Sequence, residues 1–320
     1  MRSSGFPVFP MALVLTITAC NTDALPPGSR DAAAGDLVVG APDDTANERA
    51  CREWAAVTCA SHFTCSSFGM RLQYEDAAAC VAGTVPLCLA GLRAPGNATT
   101  AADLSACTAA FASLKSCADY YAGRFLAPCF PPGTRANGAP CRSEAQCASN
   151  FCSRSANCGQ CADAPGVGSP CAFGLCGLGL LCIQNQCVVP RRPGEACDAK
   201  LLACAYPFPC LNGVCAIPVS TAGAACDPRV SFTCNHAQGF NCDADSKTCI
   251  SVGFAGPGMP CGKVNGVDTY RRAGGLCVKG QCVAPVADGA ACDFWNGPPC
   301  LPDSNCVGGV CKLDDPSACG

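Results

Sequence analysis

Thirty-four cysteines in 320 residues constrain this chain more than any other feature it has. In a reducing compartment so many thiols would stay free and open to oxidation, so the density points to an oxidising, exported setting with disulfides as framework. The apolar fraction of 49% includes those cysteines; without them it falls to about 38%, and Leu, Ile, Val and Phe together make under a fifth of the chain. That is thin for a packed core. Charged residues are only 14% and the net charge is −3, so the chain has neither the high net charge of a disordered segment nor the basic surplus of a nucleic-acid binder. A single large α/β enzyme domain does not fit. A chain whose covalent cross-links stand in for much of the missing core does.

Residues 1–19 read as an export signal. Arg2 and the amino terminus supply positive charge, and an apolar stretch runs from Phe6 through Val14, Leu15 and Ile17. It is shorter than the roughly 20 apolar residues a membrane span needs. It ends in Ile17-Thr18-Ala19-Cys20, which resembles the lipobox of bacterial lipoproteins. The resemblance implies cleavage before Cys20 and a diacylglycerol on its sulfur, hence a membrane anchor. An ordinary signal cut near Ala19 is the alternative. Residues 20–49 carry Pro26, Pro27, Gly28, Gly35, Gly40 and Pro42, with no cysteine after Cys20 and no aromatic. They are expected to form a flexible tether.

Two cysteine regimes follow. Residues 50–130 hold Cys51, Cys59, Cys65, Cys80, Cys88, Cys107, Cys117 and Cys129 at wide intervals in an Ala-rich background. Cys51, Trp54, Ala55, Thr58, Cys59 and His62 share one helix face by spacing. Thr100 and Asp103 form a capping-box pattern, behind which Leu104, Cys107, Thr108, Phe111, Leu114 and Ala118 continue an apolar stripe. Pro86, Pro95 with Gly96, and Pro128 are read as breaks. The expectation is three or four short helices held by up to four disulfides. The even count suits a self-contained unit whose connectivity the sequence leaves open.

From about Pro131 the spacings shorten, and alignment on Gly-x-x-Cys exposes a repeat. Units open at Gly138, Gly168, Gly194, Gly223, Gly258 and Gly289. The first holds Cys141, Cys147, Cys152, Cys158 and Cys161; the second Cys171, Cys176, Cys182 and Cys187; the third Cys197, Cys204, Cys210 and Cys215. The fourth holds Cys226, Cys234, Cys242 and Cys249; the fifth Cys261, Cys277 and Cys282; the sixth Cys292, Cys300, Cys306 and Cys311. Asn212-Gly213 and Gly308-Gly309 fall within the tight last cysteine pair of their units and predict closing β-hairpins. Connectors such as Val188-Val189-Pro190 and Val283-Ala284-Pro285 favour extended chain. Modules of about 30 residues cannot build a core alone. Two disulfides each, at roughly 3 kcal/mol for a loop of about 15 residues, could hold them. The array is expected to be an elongated string of knots.

Gly138-Ala-Pro-Cys141-x5-Cys147-Ala-Ser-Asn-Phe-Cys152, closing with Cys158-Gly-Gln-Cys161, resembles the Cys-rich repeats of exported bacterial lipoproteins, repeats often likened to the Dickkopf N-terminal Cys-rich domain. With the helical segment ahead of it, the resemblance spans about residues 50–312. It bears on architecture and carries no activity over to any residue. The fifth unit lacks its second cysteine across Gly262 to Leu276, the first has one extra, and Cys319 stands outside every unit. A disulfide between modules, or from Cys319 back to one of them, could absorb the imbalance; if Cys20 is lipidated the remainder is odd, so at least one cysteine, Cys319 being a candidate, would be free or would link two chains as a disulfide-bonded dimer.

Catalytic motifs are scarce. Cys158-Gly-Gln-Cys161, with Arg154 nearby, has the spacing of thiol oxidoreductases but not their βαβ context. Zinc on clustered cysteines is the competing use of the same residues, disfavoured by an oxidising setting. Asp243-Ala-Asp245-Ser-Lys247 faintly resembles a calcium loop, with Lys247 where a ligand oxygen is wanted. Asn97-Ala-Thr99 matches a glycosylation sequon. The two histidines, His62 and His236, belong to no triad or metal motif. The better lead is aromatic: Tyr206, Phe208, Phe294 and Trp295 sit in inter-cysteine loops, as ligand anchors or as rings packed over a disulfide.

The sequence thus predicts small disulfide-rich modules in tandem (residues 131–320), preceded by a short α-helical disulfide-bonded domain (residues 50–130). The expected role is non-catalytic, binding or structural, in the cell envelope, at the outer membrane or cell surface in preference to the inner membrane. The partners would be a membrane through the lipid anchor and a protein or glycan ligand, with no nucleic acid, cofactor or metal. A secreted protease-inhibitor-like effector is the alternative, followed by an enzyme of unrecognised type.

Overall fold

The computed structural model describes residues 42–122, 126–154, 158–171, 174–198, 203–230, 232–264, 266–271, 275–286, 289–293, 295–300 and 304–313. The export signal, Cys20, the tether up to residue 41, Phe294 and Cys319 lie outside them.

Among the described residues five α-helices come first. Helix α1 spans Pro42–Cys65, so its first two turns occupy the end of the segment expected to be tether. The correction has a local cause: the Glu48–Arg52 ion pair, 2.6 Å across one turn, supports helix ahead of the first buried residue, Ala50. Ala50, Cys51, Ala55, Thr58, Cys59 and Cys65 form its buried face, and Thr58 Oγ1 donates to the Trp54 carbonyl at 2.7 Å. Helix α2 is Ser67–Gln73 and α3 is Ala77–Arg93, capped by the Asp76 side chain, which accepts from the Ala79 amide at 2.8 Å. Pro86 lies inside α3 instead of ending it. Two bridges to α1 straddle it, Cys59–Cys80 and Cys51–Cys88, and hold the helix across the hydrogen bond that proline removes.

Helix α4, Ala101–Ala112, opens with the expected capping box: the Asp103 amide donates to Thr100 Oγ1 at 3.2 Å and the Thr100 amide to Asp103 Oδ2 at 2.8 Å. The Thr100 hydroxyl, which donates to Asp103 Oδ2 at 2.6 Å, and then the Thr100 amide hold the Asp103 carboxyl below its ordinary range. The stripe anticipated through Ala118 divides, because α4 stops at Ala112 and Ala118 belongs to α5, Cys117–Ala122. Cys65–Cys117 and Cys107–Cys129 complete the cross-linking, so all eight cysteines of this part pair within it.

Beyond it the chain forms small sheets under crossed disulfides. In groups two, three, four and six the first cysteine bonds the third and the second bonds the fourth: Cys171–Cys182 with Cys176–Cys187, Cys197–Cys210 with Cys204–Cys215, Cys226–Cys242 with Cys234–Cys249, and Cys292–Cys306 with Cys300–Cys311. Group one makes the same cross with Cys141–Cys152 and Cys147–Cys161, and Cys158 is also disulfide-bonded. Group five has Cys261–Cys277, with Cys282 buried beside it.

The closing hairpins are present. Cys182 faces Cys187, Cys210 faces Cys215, Cys277 faces Cys282 and Cys306 faces Cys311 in register. Both central residues of each turn have positive φ, as type I′ geometry needs; for Asn212-Gly213 the values are 50° and 79°. The opening glycine is clasped to the hairpin in every group: the amides of Gly138, Gly168, Gly194, Gly223, Gly258 and Gly289 donate to the carbonyl of the last cysteine of their own group at 2.7–2.8 Å. These glycines hold φ of 76–88°, and a Cβ there would meet nothing within 4 Å. The left-handed backbone, not lack of space, is what requires glycine. Ahead of groups one, three, four and six the connector pairs in parallel with the group that follows: Arg135 with Cys147, Arg191 with Cys204, Val219 with Cys234 and Val286 with Cys300.

The described middle of the array is not a free string. Group one bonds the α3–α4 loop through Gln146 Nε2 to the Pro95 carbonyl, 2.7 Å, and the Thr134 amide to the Gly96 carbonyl, 2.8 Å. Groups three to five lean on the helices through aromatic rings. Tyr121 meets Phe208 at 5.8 Å, and Phe68 meets His236 at 4.7 Å and Tyr270 at 4.9 Å. The helical part has apolar surface to cover, and rings carried on the modules cover it.

Replacing Gly194 with Ala should cost about 1–2 kcal/mol through the φ requirement, and Gly194→Asn clearly less. Denaturant unfolding with disulfides intact would measure both; equal stability for Gly194→Ala and the native chain would show that the clasp imposes no backbone constraint.

Candidate binding surface

The aromatic candidates divide sharply by exposure. Phe208 is 6% exposed and Trp295 is 78% exposed. Phe208 joins Tyr120, Tyr121 and Cys65 in one cluster, and the half-buried Tyr206 ring packs against it, with Tyr121 at 6.0 Å and Phe232 at 5.3 Å. Tyr121 anchors this cluster by donating its hydroxyl to the Cys65 carbonyl at 2.6 Å. Of the two readings open for Tyr206 and Phe208, ligand anchors or packed rings, their contacts match the packed one. They are docking rings between the third cysteine group and α1 and α5, held there because that interface is the nearest apolar surface available to them.

Trp295 is placed differently. It follows Cys292 in a turn built on Asp293, whose Oδ1 accepts the amides of Trp295 at 2.8 Å and Asn296 at 3.0 Å. Those bonds hold the Asp293 carboxyl below its usual range. The Gly297 amide closes the turn on the Asp293 carbonyl at 3.2 Å, and a Cβ on Gly297 would stand 2.8 Å from Asp293 Cβ, so the turn is tight enough to demand glycine. The bridges Cys292–Cys306 and Cys300–Cys311 fasten both sides of this loop to the hairpin strands Ser304–Val307 and Val310–Leu313. Val307 and Val310 on those strands are 48% and 37% exposed. Group six thus presents an indole and two valines from a braced frame. Sequence reasoning found the tryptophan and missed the valines, whose outward side follows only once the hairpin register is fixed.

The other motifs resolve into structure. Cys161 bonds Cys147, so Cys158-Gly-Gln-Cys161 is not a redox couple closed on itself. The cysteine clusters with sulfurs within 4.8 Å of one another, such as Cys197, Cys204 and Cys210, are bridge crossings, and a sulfur in a disulfide is no longer the thiolate a zinc site needs. Asp243 accepts the Ser246 amide at 2.8 Å and Lys247 takes φ of 52°, which makes the calcium-like segment a tight turn with its carboxylate engaged. Asn97 Nδ2 donates to the Gly91 carbonyl at 2.6 Å. His62 stands edge-on to Tyr120 at 5.4 Å on the face predicted for it. A polar hollow in group one is lined by Asn137, Ser153, Gln160 and Asp163; its one carboxylate accepts from Asn137 Nδ2 at 2.6 Å.

No helix among the described residues is by itself long and apolar enough to cross a membrane; the pair α2 and α3 reaches that length and composition only together, across a 68° bend. No protein-family model, curated protein or solved structure matches this chain.

Trp295→Ala should leave stability within about 0.5 kcal/mol, as at ordinary surface positions. Phe208→Ala should cost about 3–5 kcal/mol for the emptied ring site. Paired denaturation curves decide: comparable losses would mean that Trp295 is packed rather than displayed.

Proposed function

We propose that this chain is a non-catalytic lipoprotein of the bacterial cell envelope, anchored through Cys20, with six copies of one cysteine-rich module in tandem and the Trp295 surface of the last as its contact for a protein or glycan ligand. The disulfide load makes it an extracellular or exported protein. The observation that carries the rest is the repeated use of sulfur. In groups one to four and six the same crossed bridges take up four cysteines of each, and in all six the same glycine clasp closes the hairpin, so cysteine serves scaffolding while the loops between are left to vary. A braced frame with an exposed indole suits binding, because an anchor already held in place loses little freedom when a partner is met. The resemblance to Dickkopf-like repeats of exported lipoproteins agrees with this reading. The lipobox supplies the attachment, since acyl chains contribute about 0.8 kcal/mol per buried methylene. The outer membrane or cell surface is the proposed site.

One specific feature favours a second reading. The Trp295 loop is exposed and fastened by two disulfides, which is what a protease-inhibiting bait loop requires. A protease panel separates the two: a ligand-binding module leaves the proteases active, while a bait loop blocks one of them and stays intact.

Mass spectrometry of the native protein from isolated membranes tests the anchor. The expected N-terminal peptide starts at a diacylglyceryl-modified Cys20, and Cys20→Ser should move the protein into the soluble fraction. An unmodified mature terminus elsewhere, with Cys20→Ser still sedimenting with membranes, would remove the lipoprotein reading. The same spectra, read without reduction, report whether the odd cysteine left by lipidation is a free thiol or joins two chains.

A further inference from the structure

The helical part and the cysteine groups meet around one imidazole. His236 lies in the short 3-10 turn His236–Gln238 between Cys234 and Cys242 and is half-buried. Phe68 of α2 contacts its ring edge-on at 4.7 Å, and Phe232 does so at 6.4 Å. The Tyr206 hydroxyl, from group three, stands 3.4 Å from His236 Nδ1. Phe68, 7% exposed, also carries Tyr270 and Phe254 on its other contacts, at 4.9 and 6.0 Å. His236 therefore touches α2 and group three from within group four, and is one ring away from group five.

We propose that His236 is an acid-sensitive latch: a proton gained there loosens the docking of groups three to five on the helical part and uncovers the apolar face around Phe68. Neutral imidazole can accept the Tyr206 hydroxyl at Nδ1; once protonated, Nδ1 is a donor, so the contact survives only if the phenol turns to accept, and the phenol hydrogen then needs another partner. The cation also gives up part of its hydration at this half-buried interface, and that burial holds His236 below its ordinary 6.5.

Among the described residues, the groups in contact with it offer no compensating anion. Tyr206 brings a phenol, neutral throughout the acid range. On α2, the one charged group among these contacts is Arg71, a cation over the Phe254 ring at 5.5 Å, and on α1, His62 is turned to Tyr120. On its own turn, Gln238 Nε2 donates to the Thr64 carbonyl at 3.5 Å. The sign follows: because the folded state disfavours the charged form, its contribution to docking is intact above 6.5 and is lost as pH falls through 6.5 toward the lowered folded value. One proton limits the effect to about tenfold in the opening equilibrium per pH unit.

Hydrogen exchange of the whole disulfide-bonded protein at about pH 7.5 and about pH 5, corrected for intrinsic rates, reads this directly. Amides in Ser67–Gln73 and His236–Gln238 should lose protection several-fold on acidification while α4 keeps its own. His236→Phe retains a ring without the proton and should hold α2 protected at both values; His62→Gln, which removes the other histidine, should respond like the native chain. Unchanged α2 protection in the native protein, or the same loss in His236→Phe, overturns the latch. Should His236→Phe fail to fold, titration of the native imidazole by NMR decides. A midpoint below 6.5 with accompanying shifts in Phe68 and Tyr206 supports it, and one at or above 6.5 overturns it.

Discussion

Five of the six cysteine groups depend on the crossing of two disulfides over one hairpin. Third and fourth cysteines face each other across the hairpin, yet each bonds outward, to the first and second cysteine of its group. The cross therefore ties the incoming segment and the inter-cysteine loop to the same pair of strands. In group one Cys141, Cys147, Cys152 and Cys161 form a buried cluster on their own, so the bridges are at once the staples and the core. With loops of 11–16 residues closed by the crossed bridges and by Cys261–Cys277, the unfolded chain is restricted where burial alone could not outweigh its entropy. The glycine clasp follows from this geometry. Once the hairpin is fixed, the opening strand must turn sharply to lie beside it, and only a left-handed residue lets the amide reach the last cysteine carbonyl.

Group five shows what happens when that device is varied. It lacks the second cysteine, yet its glycine clasp is intact, with Gly258 donating to Cys282. In groups one, three, four and six the preceding connector pairs in parallel with the second cysteine. In group five the same place is taken by a three-residue parallel ladder, Gly253–Ala255 on Thr269–Arg271, backed by the antiparallel hairpin Gly262–Val264 with Val267–Arg271. That ladder carries Phe254 and Tyr270 onto Phe68 of α2. Backbone pairing and aromatic docking stand where the second cysteine stands in the other groups, so group five leans on the helical part through rings of its own.

Periodicity and cysteine spacing made much of this legible. The buried face of α1, the Thr100 cap, the internal pairing of the eight wide-spaced cysteines and the type I′ hairpins all arise from short-range rules of spacing and turn chemistry. What escaped was long-range or compensated. Pro86 reads as a break until the bridges on either side of it are known. Pro42 to Arg49 reads as tether until helix continuing into Ala50 is seen to recruit it. Tyr206 and Phe208 are visible as aromatics in a loop, but their shared partner Tyr121 lies far away in sequence, and no local pattern announces such a pairing.

The same distinction bears on the candidate surface. An aromatic residue in a loop between bridges has two stable fates, and the choice is set by whether another apolar surface lies within reach. The helical part, poor in large aliphatic side chains, offers Phe68, Tyr120 and Tyr121 as its apolar outer face, and the rings of groups three to five satisfy it. Trp295, Val307 and Val310 of group six keep their exposure, and the turn on Asp293 holds the indole outward at the cost of a dedicated carboxylate and a glycine that tolerates no Cβ. Backbone bonds of this kind stabilise the turn, not the fold at large. A turn built so closely around one large apolar side chain suits the ligand contact proposed for it, in which a partner would take that side chain out of water.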